Sequence, residues 1–211
     1  MHHESPRTRW IEVEPQGPPE DEFVFGEGLR AACNGDPATW LDDAAARSFG
    51  SVGGLLPGNY ESYLLVESAP AGVDDWWAAQ RRIVVALAGV LGRFTDTPHE
   101  AWFAIWEGHE SGWGSIEALR TLPRFDRPHR SYYLLNGSVA DVDRIATPTR
   151  PRDWFRPDLW WPEDRQWFVG TDVDCWCNYV GGSHVMIEAI TSRLPGLCHP
   201  ATLNEPLRVE D

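Results

Sequence analysis

Apolar residues along this chain gather into short runs separated by glycine-, proline- and asparagine-containing stretches, and once into a stripe with a period near 3.6. The segments YESYLLVE at 60–67, AWFAIWE at 101–107 and SYYLLN at 131–136 read as strands, and so does 166–173. Between 75 and 92 the apolar positions Trp76, Ala79, Ile83, Ala86, Leu87 and Val90 recur at spacings of three and four. That spacing predicts a long helix with one buried stripe, opened by Asp74 and Asp75. Ser183, directly after Gly181-Gly182, is an N-cap for a second helix running to about Arg193. Two short helices are expected early in the chain. The later of them has Asp36 as its cap and Pro37 in first position, and continues through Trp40, Leu41 and Ala44 to Ala46. Ser138 opens a short helix ending at Ile145, and TPTRPRDWFRPD at 147–158 reads as an extended loop.

Helices and strands mix here without regular βαβ alternation. The expected fold is therefore a single α+β domain, with a mostly antiparallel central sheet and flanking helices. Residues 1–20, which include PQGPPE and many carboxylates, are expected to be a flexible acidic leader; 21–195 form the domain and 196–211 a loose tail.

A length of 211 residues is enough for a core that needs no disulfide or metal, and 42% hydrophobic with 12% aromatic residues suits dense packing. All 18 basic residues are arginine. Without lysine, a Schiff-base enzyme, a phosphate-loop lysine and a kinase-type lysine are excluded. The net charge of −14 disfavours nucleic-acid phosphates and anionic membranes and favours a basic partner. The start, MHHESPRTRW, lacks an apolar signal core, and the longest apolar run, 83–91, is too short to span a bilayer. A cytoplasmic location with reduced cysteines is the expectation.

The run from 159 to 190, LWWPEDRQWFVGTDVDCWCNYVGGSHVMIEAI, concentrates the candidate chemistry. Cys175 and Cys177, with His184 and either Cys198 or His199, could supply four soft ligands to zinc, although C-x-C is a poor match to the usual spacing and reduced cysteines also pack as small apolar residues. Asp172 and Asp174 would share a face of a continuous strand and could bind a hard cation or share a proton; equally, such pairs bond nearby backbone amides at a strand end. A Cys177–His184 pair leaves nucleophilic chemistry open. No phosphate-cradling glycine motif occurs, and no cofactor is expected. Trp160 and Trp161 cannot both point inward on one regular strand, so one is a candidate for exposure beside Glu163 and Asp164, where it would serve recognition; a capped contact between loop and core is the alternative.

The segments LLPGNYESYL (55–64), WFAIWEG (102–108) and LWWPEDRQWFVGTDVD…YVGGS (159–183) together resemble a group of uncharacterised proteins of GC-rich bacteria. LPGNYESYL is also similar to the LP-x-x-Y-x-x-(F/Y)-L opening of the SUKH immunity-protein superfamily, whose members are α+β domains that neutralise toxins by binding them. That resemblance implies structural roles for Leu56, Pro57, Tyr60 and Leu64. The leading expectation is a non-enzymatic protein-binding domain, of immunity type, that holds a basic partner through Trp160, Trp161, Glu163, Asp164, Asp172 and Asp174. The competing expectation is a small hydrolase or metal-dependent enzyme built on Asp172, Asp174, Cys177 and His184.

Overall fold

In the computed structural model, residues 26, 28–41, 50–70, 72–109, 122–127, 129–147 and 150–209 are described. In chain order the strands are β1 (Arg30–Ala31), β2 (Ser62–Glu67), β3 (Ala101–Trp106), β4 (Arg124–Arg127), β5 (Arg130–Gly137), β6 (Ala146–Thr147), β7 (Arg150–Trp154), β8 (Leu159–Pro162), β9 (Phe168–Gly170), β10 (Cys177–Gly182) and β11 (Cys198–Ala201). Among the described residues nine of them form one sheet in the order β1-β5-β3-β8-β9-β10-β2-β11, with β4 also on β5. Every pairing in it is antiparallel. The α+β architecture around an antiparallel sheet is the one expected from strands and helices that mix without regular βαβ alternation.

Both faces of this sheet are covered. On one lie helix α2 (Trp76–Leu91) and helix α3 (His184–Arg193), and the 3-10 turn Val139–Arg144 packs beside α2. Ile83, Val84, Leu87 and Leu91 of α2 meet Leu64, Val66, Phe103, Tyr133, Trp160 and Val180 of the strands there. The helix begins where the Asp75 carboxylate accepts the Ala78 N–H at 2.9 Å, and it ends at Gly92. Ser183 caps α3 as its position predicts, its hydroxyl accepting the Met186 N–H. On the other face the 3-10 turn Asp36–Leu41 and helix α1 (Val52–Leu55) cover Leu65, Leu134, Trp161, Phe168 and Tyr179.

This double coverage overturns the expectation for the tryptophan pair. Trp160 and Trp161 do point to opposite faces, but each face is a core, so both are 1% exposed. Trp161 stacks on Phe168 (centroids 5.6 Å, planes 15° apart), while Trp160 packs edge-on against Trp167. A strand buried on both sides has no polar alternation, which is why LWWP carries no strand signal of its own.

The stretch beyond Pro195 is also more ordered than expected. β11 pairs with β2 from Cys198↔Val66 to Ala201↔Tyr63. Farther on, the Leu207 N–H reaches the Gly50 carbonyl at 2.7 Å, and Val209 bridges to Cys175. β2 has a continuous apolar centre, Leu64-Leu65-Val66, and without this partner its second edge would stand open. Two smaller departures are local. The segment expected to hold the first short helix contains β1, paired with β5, and part of 147–158 forms the hairpin of β6 and β7. The leader at 1–20 and the helical continuation at 44–46 lie outside the described residues.

Candidate interaction surface

The residues singled out from 159–190 are distributed over the two ends of the sheet instead of meeting at one point. Cys177 begins β10 and His184 lies beyond its far end. Six strand residues at about 3.4 Å each place them roughly 20 Å apart. His184 bonds Ser62 through Nδ1, and its backbone N–H donates to Glu61. Asp172 chelates one nitrogen of Arg130 at 2.6 and 2.7 Å, whereas Asp174 is exposed, so the two carboxylates do not share a site. Cys198 sits on β11, and its thiol donates to the Leu194 carbonyl. Among the described residues no three His, Cys, Asp or Glu side chains are placed to hold one metal ion, so the alternative quartet of Cys175, Cys177, His184 and Cys198 is not assembled. The WPED turn is an internal fastening. Glu163 accepts the Trp102 indole N–H at 2.5 Å, and Asp164 accepts the Thr95 hydroxyl and the Asp96 N–H at 2.8 and 2.7 Å.

At the opposite end of the sheet, where β3, β9 and β2 finish and β5, β8 and β10 start, polar side chains collect. Asp158, 4% exposed, accepts the Trp106 N–H at 2.7 Å and receives His109 Nε2 at 2.9 Å. The His109 ring lies edge-on between Trp106 and Phe155. Arg130 stacks over Trp106 at 4.6 Å while holding Asp172. Burial lowers the pKa of Arg156, whose guanidinium donates to the Ser68 hydroxyl and the Cys175 carbonyl. Cys175 donates its S–H to Cys177, which holds the Cys177 thiol below and pushes the Cys175 thiol above the ordinary cysteine range. Both cysteines are nearly inaccessible, at 1% and 2% exposure. The His109 side chain bonds Asp158, and the group ties the end of the sheet together as a polar knot.

Its outer rim is different. Because Cys175 and Cys177 face the core, Trp176 between them faces out, held by the Ser68 N–H donating to its carbonyl at 2.9 Å. The first turn of α2 arrives at the same place. The Trp76 ring lies 4.9 Å from Trp77 on one side and 4.9 Å from Trp176 on the other. Trp77 is 68% and Trp176 49% exposed, although tryptophan is ordinarily a heavily buried residue. Exposed carboxylates flank this row in sequence: Asp74 and Asp75 before Trp76, and Asp174 before Trp176. Of the residues expected to make contacts, only Asp174 belongs to this surface. Trp77 and Trp176 were overlooked, yet each carries a signal. Trp77 falls off the apolar stripe of its helix, and Trp176 alternates with two apolar cysteines.

Among the described residues no helix is long and apolar enough to cross a membrane. No family model, curated protein or solved structure matches the chain.

Proposed function

We propose that this protein is a binding domain that captures a basic protein partner, in the manner of an immunity protein, through the Trp76–Trp77–Trp176 row and its flanking carboxylates. The observation that carries this reading is the row itself: the Trp76 ring in contact with both Trp77 and Trp176, the latter two about half or more in solvent. Exposed indole of this extent leaves on the order of 5 kcal/mol of burial unrealised at ~25 cal/mol/Å². A partner that covers it gains that energy, less the cost of association. Arginine and lysine suit the place, since a cation can lie on an indole face while Asp74 or Asp174 pairs with its charge. The net charge of −14 adds long-range steering toward such a partner.

A fluorescent peptide of alternating arginine and glycine serves as the probe. The native protein should bind it with an affinity that falls as salt rises. Replacing Trp77 and Trp176 together by alanine should weaken capture at least tenfold, and D74N with D174N should flatten the salt dependence. Unchanged affinity in the tryptophan double variant would refute the proposal.

A further inference from the structure

On an acidic protein the outer side of α2 is unexpectedly basic. A groove of about 720 Å³ runs along it, lined by Arg81, Arg82 and Arg93 of that helix and its C-terminal end and by Arg193 of α3, against, among the described residues, a single carboxylate, Asp143. Asp143 is already engaged: its carboxylate accepts from Arg81 Nε at 2.6 Å and its carbonyl from Arg81 Nη2. Among the described residues the side chains of Arg82, Arg93 and Arg193 have no ion-pair or hydrogen-bond partner. Three uncompensated guanidinium groups in one concavity repel one another and are stabilised by an anion placed between them.

The floor of the groove is apolar. It includes Val85, 40% exposed, with Gly89 and Val90 beside it. Gly89 is an interior helical position where glycine costs stability relative to alanine, yet a Cβ there would meet nothing within 4 Å. Packing does not demand the glycine, and the position opens onto the groove, so a long side chain there would enter it. From Arg81 to Arg93 the helix rises roughly 18 Å at ~1.5 Å per residue, long enough for about five residues of extended peptide.

We infer that this groove receives an acidic peptide segment of a partner chain, with carboxylates held by Arg82, Arg93 and Arg193 and apolar side chains resting on Val85 and Gly89. Guanidinium forks match carboxylates in pairs, and the uncharged floor rewards a segment that is not wholly polar. A nucleic-acid strand fits less well: among the described residues no aromatic ring lines the groove to stack a base, and the net charge of −14 opposes a long polyanion. The groove is separate from the tryptophan row, which lies at the first turn of α2.

Fluorescence polarisation with a labelled peptide of alternating glutamate and leucine tests this, alongside a glutamate–serine peptide and labelled oligothymidylate. The glutamate–leucine peptide should bind tightest. R82S with R193S should weaken it at least tenfold, and G89E, which fills the groove with a like charge, by a similar factor. G89A should bind nearly as the native chain does and unfold at a higher temperature, which separates groove blocking from damage to the helix. W77A with W176A should leave the affinity unchanged, so this inference and the tryptophan surface fail separately. Residues 1–22 carry six carboxylates against Arg7 and Arg9. If their deletion raises peptide affinity tenfold, the chain's own acidic segment is the occupant and the assignment to a partner is overturned; unchanged affinity supports it. Indifference to G89E, or tighter binding of oligothymidylate that the same arginine variants abolish, would also overturn it.

Discussion

Replacing Trp161 by alanine should destabilise the protein severely, while the same change at Trp77 should hardly register. Trp161 is 1% exposed and lies in a ring cluster, stacked on Phe168 and edge-on to Trp40 and Phe125. An indole removes about 200 Å² from water, worth roughly 5 kcal/mol at ~25 cal/mol/Å², and measured losses for core Trp→Ala changes run at about 3–5 kcal/mol. Total stabilities are themselves only about 5–15 kcal/mol. With a urea slope near 3 kcal/mol/M for a chain of this size, the unfolding midpoint should fall by roughly 1–1.5 M. Trp77, 68% exposed, should change it by under about 0.2 M. Circular dichroism across a urea series reads both. If Trp161→Ala does not fold, Trp161→Phe keeps the stacking on Phe168 and should lower the midpoint by less. Equal shifts for Trp161→Ala and Trp77→Ala would refute the reasoning, because the sheet would then not have two buried faces.

Three further outcomes follow from the same geometry. Asp172→Asn should cost about 3 kcal/mol, since it leaves the Arg130 guanidinium, 13% exposed and with its Nε already unpartnered, without a counter-charge; an unmoved thermal midpoint would show that the pair is not structural. Burial raises the pKa of Tyr132 and Tyr179 above the usual tyrosine value of 10.0, so the folded state keeps protons that the unfolded chain gives up. Stability should therefore fall as pH rises past about 10, by up to about 1.4 kcal/mol per pH unit for each of these two rings, and urea midpoints measured across about pH 9–11 check it: a midpoint that does not move would refute it. Gly181→Ala places a methyl 2.6 Å from the Tyr60 ring and should cost about 1–3 kcal/mol in urea unfolding; a neutral result would mean that the ring moves freely.

Much of the frame was legible in the chain. α2 lies where its 3.6-residue period places it, because it has one buried stripe, and β3 was legible as a short apolar run although both of its faces are buried. β8 was not legible, because a segment with core on both sides carries no alternation to read. β11 was hidden for another reason. CHPA has weak strand propensity and contains a proline, tolerated only because the strand lies at the sheet edge, and its partner is more than a hundred residues away in sequence. The candidate site failed at the same scale. Nearness in sequence suggested that Cys177 and His184 could meet, but an extended strand holds them apart. Conversely, the contact of Trp76 with Trp176 joins two distant segments, and only the burial logic of their immediate neighbours hinted at it.

The clasp of β11 over β2 also bears on how the chain is made. β2 leaves the ribosome before either of its neighbours, β10 and β11, which follow it by more than a hundred residues. Over that interval Leu64, Leu65 and Val66 have no strand on either edge, a state in which an apolar strand is prone to pair with other chains. A chain terminated at residue 197 would keep one of those edges bare, and would be expected to aggregate more readily than the chain that carries β11.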